Sequence, residues 1–132
     1  MPNLQTHPIH LGLGASSVTQ PEFTGDVSWY MNYGERNAAD GREGRLVSMH
    51  TFTESWDVWE VHPHGTEVVL CTAGELTLIQ RKGGPDGAEL VTTLGPGEYV
   101  INEPGDWHTA DIDGQATALF ITAGDGTENH PR

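Results

Sequence analysis

Nine consecutive residues, Trp59-Glu60-Val61-His62-Pro63-His64-Gly65-Thr66-Glu67, hold two imidazoles and two carboxylates. Side chains alternate faces along an extended strand, so Glu60 and His62 point one way while Trp59 and Val61 point the other. Pro63 cannot donate to a sheet ladder, and Pro63-His64-Gly65-Thr66 reads as a turn. The apolar run Glu67-Val68-Val69-Leu70-Cys71 then starts a strand that can fold back antiparallel on the first. Such a hairpin draws Glu60, His62 and Glu67 towards one point, which is a metal site in outline.

The segments that must position these groups are short and extended. From Arg45 onward strands are expected at Arg45–Phe52, Trp56–His62, Glu67–Thr72, Leu76–Arg81, Glu89–Leu94, Glu98–Ile101, Trp107–Ile112 and Ala116–Thr122. Turns separate them at Ala73-Gly74-Glu75, at Lys82 to Gly87, at Gly95-Pro96-Gly97 and at Pro104-Gly105. No segment past Arg45 has an amphipathic helical pattern. Strands at this spacing indicate an all-β jelly roll or small antiparallel barrel.

The chain begins differently. Residues 1–25 follow neither a period of 3.6 nor one of 2, and read as an extended N-terminal arm that packs on the body or on a partner subunit. His7 and His10 lie in this arm with no spacing that points to chemistry. Asp26 to Met31 reads as a short strand or a helical turn, and Gly34 to Gly41 as an exposed loop, with or without a turn of helix. The expected division is an arm over 1–25, one barrel domain over 26–124 and a loose polar tail over 125–132.

Composition narrows the classes of function. The chain has 132 residues, enough for one domain, and Asp+Glu 19 against Lys+Arg 6 gives a net charge of −13. Phosphate backbones need a basic footprint, so nucleic acid is not an expected partner, and an anionic membrane surface is disfavoured on the same ground. No apolar run approaches the roughly 20 residues that cross a bilayer. Cys71 is the single cysteine, so no internal disulfide can form. With no basic-then-apolar start to suggest a signal peptide, a cytoplasmic protein is expected.

Two stretches taken together resemble the cupin superfamily. Its first motif runs G-x5-H-x-H-x3-4-E-x6-G. With Glu60 at the first histidine position, His62 falls on the second, Glu67 on the glutamate and Gly74 on the closing glycine. The second motif runs G-x5-P-x-G-x2-H-x3-N, and Gly97, Gly105 and His108 stand at its intervals. Departures accompany the match: Glu60 replaces a histidine, Glu54 stands at the opening glycine, Glu103 at the proline and Ile112 at the asparagine. A competing register uses His62 and His64 as the histidine pair, but it leaves two residues before Glu67 and puts His64 in the turn. In the preferred register His64 lies at the rim. The resemblance covers about residues 45–122 and implies a double-stranded β-helix, commonly dimeric.

It also implies a ligand set of Glu60, His62, Glu67 and His108. Two imidazoles, two carboxylates and no thiolate suit Fe(II), Mn(II), Ni(II) or Zn(II) in a working site rather than a structural zinc knot. Without metal the same groups form a carboxylate pair flanked by histidines, which can do acid–base work or bind a ligand. A third reading is a vestigial set in which the four groups satisfy one another.

Strand alternation then gives the expected pocket lining. Val58 shares a face with Glu60 and His62, Val69 and Cys71 share that of Glu67, and Ala110 and Ile112 that of His108. Trp56 and Tyr99 are further candidates. Two classes of function stay open: an enzyme of oxygenase or isomerase type acting on a small organic molecule, and a non-catalytic module that binds a small ligand. The arm and the edge strands invite a homodimer.

Overall fold

Two long strands carry the architecture of the computed structural model, which describes residues 1–132. Strand β1 spans Ile9–Gly12, β2 Ser16–Thr19, β3 Arg45–Phe52, β4 Val58–Val61, β5 Glu67–Arg81, β6 Glu89–Leu94, β7 Tyr99–Asn102, β8 Trp107–Thr122 and β9 Glu128–Pro131. One helix, α1, spans Val27–Arg36. Strands β5 and β8 pair antiparallel from Glu67↔Thr122 to Arg81↔Trp107, with irregular register between Cys71 and Leu76.

That irregularity is a bend, and it creates two half-sheets. The first runs β2-β1-β3-β8-β5-β7 through residues 116–122 of β8 and 67–74 of β5. The second runs β9-β4-β8-β5-β6 through residues 107–112 and 76–81. Val69, Cys71, Ala116, Ala118 and Phe120 of the first half pack with Leu76, Leu78, Leu94 and Ala110 of the second in one buried cluster. The architecture is therefore an all-β jelly roll. It is not closed by hydrogen bonds into a continuous barrel, because no ladder joins an edge of one half to an edge of the other.

The turn expected at Ala73-Gly74-Glu75 is the bend itself, inside one strand rather than between two. Gly74 lies opposite the Asp113-Gly114-Gln115 bend of β8. Both glycines have positive φ, +72° and +81°, a conformation L side chains rarely adopt. At Gly74 space is also absent: an added Cβ would stand 2.1 Å from the carbonyl oxygen of Gln115. The period of two survives on either side, with Val69, Cys71, Leu76 and Leu78 all inward.

Three other segments differ from expectation. Residues 27–36 form a full helix. Asp26 caps it, accepting from the Trp29 N–H at 2.9 Å, the arrangement that satisfies a free N-terminal donor. The interior Gly34, a poor helix former, concealed the continuation. The arm carries the β1–β2 hairpin, which extends the first half-sheet beyond β3. The tail expected to be loose instead forms β9 on β4, held by an Arg132–Asp111 ion pair and an edge-on contact of His130 with Trp107 at 4.7 Å. No helix is long and apolar enough to cross a membrane.

Gly74→Ala is expected to cost on the order of 3 kcal/mol or more in a urea denaturation series, because clash and strain add. Gly83→Ala, at φ +79° with nothing within 4 Å of the added Cβ, is expected to cost only about 1–2 kcal/mol. Equal losses in the two variants would show that backbone conformation alone, and not the β5–β8 crossing, makes Gly74 necessary.

Candidate metal centre

Glu60 and His108 are direct cross-strand partners, the single register pair that joins β4 to β8. His62 follows β4 on the same face as Glu60. Glu67 opens β5 opposite Thr122 and Asn102. The bend therefore brings two ligand-type residues of the second half-sheet against the first residue of β5, with His62 between. One nitrogen or oxygen from each of the four lies within 4.8 Å of every other.

The distances are those of groups facing a common centre. His62 Nε2 stands 3.0 Å from Glu60 Oε1 and 3.2 Å from Glu67 Oε2. His108 Nε2 stands 3.2 Å from Glu67 Oε1 and 3.6 Å from Glu60 Oε1. The side chains of His62, Glu67 and His108 are at most 4% exposed, while that of Glu60 is 27% exposed and opens to the cavity. Neither Nε2 makes an aligned hydrogen bond, although both are fully buried.

Each ring is fixed from behind. The Thr127 hydroxyl donates to the Gly124 carbonyl at 2.8 Å, so it accepts from Nδ1–H of His62, also at 2.8 Å. Nδ1–H of His108 donates to the Asp106 carbonyl at 3.2 Å. In the neutral ring each Nε2 then carries a bare lone pair turned inward. This is how metal-binding histidines are oriented. Glu67 is held as firmly: Asn102 Nδ2 donates to Oε1 at 3.1 Å and Thr122 Oγ1 to Oε2 at 2.6 Å. Gln80 donates in turn to Asn102 at 2.7 Å. Glu60 has no such partner outside the cluster.

Burial opposes protonation of the imidazoles, but the two carboxylates outweigh it, pushing His62 up to about 9 and His108 to about 10. Burial likewise opposes ionisation of the carboxylates, yet the histidines hold Glu60 and Glu67 below the usual carboxylate value. Without a metal ion the cluster is two imidazoliums against two carboxylates.

A cavity of about 1280 Å³ opens beside Glu60, His62 and Glu67. Val58 and Trp56 line it as the sequence suggested. Trp56 packs on Phe52, Phe120 and the ring of His108, and its indole N–H is buried without a partner. Val69, Cys71 and Ala110 face inward but have no exposed surface, and with the partly buried Ile112 they form the packing beneath the cavity. Tyr99 is a correction. It is 62% exposed on the outer side of β7, because Asn102 must face inward to reach Glu67 and alternation turns Tyr99 out. His64 stays in its turn with its ring beside Gly126, apart from the cluster.

The sequence reading missed His50, Phe52 and Phe120 on the cavity floor and Val27, Tyr30 and Met31 on α1. Ser48, His50 and Phe52 do share one face of β3 by alternation. The helical residues had no legible period. Burial, with the charges of Glu60 and Glu67, pushes the Tyr30 phenol up to about 12, so this side chain senses the cluster.

No protein-family model matches the chain, and no curated protein matches it. Solved structures do. The chain is similar to an uncharacterized conserved protein with a double-stranded β-helix domain from Klebsiella pneumoniae (TM-score 0.53, 22% identity, 67% of this chain and 76% of that one). The fold is that of a double-stranded β-helix domain. It is also similar to an oxalate oxidase (TM-score 0.54, 19% identity, 63% of this chain and 44% of that one). A third similar structure is a hydroquinone 1,2-dioxygenase from Sphingomonas sp. with 4-hydroxybenzoate bound (TM-score 0.51, 15% identity, 59% of each chain). The chain spans less than two thirds of either named enzyme. At these identities the likeness is one of fold.

The charged cluster has a pH signature. A free imidazole titrates near 6.5, so between there and about 10 the folded chain holds more protons than the unfolded one, and stability falls as pH rises. The two carboxylates act oppositely, adding stability above about 4.5 that is lost as pH falls. Chelator-treated protein should melt highest between about pH 4.5 and 6.5, with the midpoint dropping steadily towards pH 10. A midpoint that climbs from pH 6.5 to 9 would contradict the cluster's charge state.

Proposed function

We propose that Glu60, His62, Glu67 and His108 hold a divalent transition metal ion, Fe, Mn, Ni or Zn, and that the chain uses it on a small organic molecule bound in the adjoining cavity, in oxygenase- or isomerase-type chemistry. The observation that carries this reading is the pair of buried Nε2 atoms that face two carboxylates without an aligned hydrogen bond, with both Nδ1 atoms committed elsewhere. A mixed nitrogen and oxygen set without thiolate suits those ions. When bound, such an ion supplies Lewis-acid polarisation of a carbonyl or hydroxyl, or a redox centre.

The residues divide the remaining work. His62 and His108 are neutral donors with fixed tautomers. Glu67, gripped by Asn102 and Thr122, is the rigid carboxylate. Glu60 borders the cavity and has no hydrogen bond outside the cluster, so it is the least constrained of the four ligands and the one beside a bound molecule. Phe52, Trp56 and Phe120 keep water from one side of the site. The oxalate oxidase and the hydroquinone dioxygenase among the similar structures lend weight to the oxidative branch. The balanced charge that the cluster would have without metal favours a second reading, metal-free acid–base chemistry or ligand binding through Glu60 and Glu67.

Elemental analysis of protein prepared without chelator or affinity-tag histidines separates the two. About one equivalent of a single transition metal is expected in the parent, and essentially none in His62→Ala or His108→Ala. A parent that stays empty after incubation with each of the four ions would remove the metal reading and leave the carboxylate pair.

A homodimer is part of the same proposal, supported by the unpaired outer edge of the fully exposed β2. A monomeric mass in solution at micromolar concentration would remove it. A lone, buried Cys71 is consistent with a cytoplasmic setting.

A further inference from the structure

Helix α1 has apolar side chains on two sides, and only one side is packed. On the packed side Trp29 is 5% exposed, stacked on Tyr33 at 5.7 Å and met edge-on by Phe23 at 5.0 Å. The same side is latched by a buried hydrogen-bonded chain. His10 Nε2–H donates to Asp40 Oδ2 at 2.6 Å, which leaves Nδ1 to accept from the Tyr33 hydroxyl, also at 2.6 Å. Three elements meet there: β1, α1 and the 3₁₀ turn Ala38–Glu43. The helix is therefore held in place whatever lies on its other side.

On that other side Val27, Tyr30 and Met31 occupy positions i, i+3 and i+4 and are 74%, 46% and 62% exposed. All three line the cavity that contains Glu60, His62 and Glu67. Exposed apolar surface on a fixed helix is unfavourable; the Tyr30 ring is met edge-on by Phe23 at 5.7 Å and by Trp29 at 5.4 Å, while Val27 and Met31 stay largely exposed. The cavity thus has a charged end at the cluster and an apolar wall on α1, facing the aromatic floor of Phe52 and Trp56. Its continuity with the cluster identifies the occupant as one molecule that touches both ends.

Resting on the metal reading above, we infer that Val27, Tyr30 and Met31 form a specificity wall, and that the substrate is an oxygen-donor chelator carrying an alkyl or aryl body that lies along α1. Removal of one methylene from water favours binding about three- to four-fold, so a homologous series reports the wall directly.

The test is calorimetric binding of acetohydroxamate and octanohydroxamate to Zn(II)-loaded protein, in the parent and in Val27→Ser/Met31→Ser, whose changes lie on exposed helix positions. In the parent the octanoyl compound should bind at least about ten-fold more tightly. The double variant should lose most of that gain while keeping its affinity for acetohydroxamate. Equal affinities in the parent, or an unchanged octanoyl affinity in the variant, would overturn the wall and leave the metal site standing. Failure of both hydroxamates to bind the zinc-loaded protein would overturn this inference alone, and failure of the protein to take up any of the four ions would overturn the metal reading and this inference with it. If the double variant instead keeps its octanoyl affinity and turns a dimer into a monomer, the face is a subunit interface and the inference is wrong.

Discussion

Three ionisable side chains with almost no access to water, His62, Glu67 and His108, can be buried together only if charge and hydrogen bonding are compensated in place. Desolvation alone would neutralise each of them. What prevents this is their mutual approach, which holds the carboxylates ionised and the imidazoles protonated. The second requirement is a set of outer partners, Thr127, the Asp106 carbonyl, Thr122, Asn102 and Gln80, each drawn from a different part of the chain. The cluster therefore exists only when β5, β7, β8 and the segment before β9 are all in place. Half-satisfied buried networks are costly, which ties the integrity of the site to the integrity of the fold.

The fold meets that requirement through the crossing of β5 and β8. A straight pair of fifteen- and sixteen-residue strands would spread Glu67 and His108 far apart along one ladder, since a strand rises about 3.3 Å per residue. The bend at Gly74 and Gly114 folds the ladder on itself, so that the start of β5 and the start of β8 come together. Burial of the apolar face around Val69, Leu76, Leu78 and Phe120 holds the bend closed. Glycine is required at position 74 by an approach of backbone to backbone that only the paired strand creates, and at position 114 by its positive φ.

That explains which parts of the molecule could be read from the chain alone. Glu60, His62 and Glu67 were legible because local strand alternation and a four-residue turn are enough to bring them together. His108 was legible only through the paired motifs that Gly97, Gly105 and Gly74 punctuate. Tyr99, a further candidate for the lining, points outward because the inward end of its strand is set by a polar residue, Asn102, serving Glu67. Gly74 read as a turn between two strands because its constraint is long-range. Helix α1 was hidden by Gly34 and by an apolar pattern split between two faces. Strand β9 is polar throughout, and its pairing rests on Arg132, His130 and the free edge of β4 rather than on any hydrophobic signal.

The presence of glutamate at position 60, where the cupin motif has histidine, bears on which ion the buried site can accept. Two carboxylates and two protonated imidazoles carry no net charge. Exchange of the two imidazole protons for one divalent cation leaves the total at zero again. A monovalent or trivalent ion would leave a unit charge in a site with almost no contact with solvent, where uncompensated charge is heavily penalised. With histidine at position 60, a bound divalent ion would leave the cluster at +1. The donor set therefore favours a divalent ion by charge as well as by chemistry. Loading with such an ion would be a proton-coupled event, with uptake favoured as pH rises through the range in which His62 and His108 give up their protons.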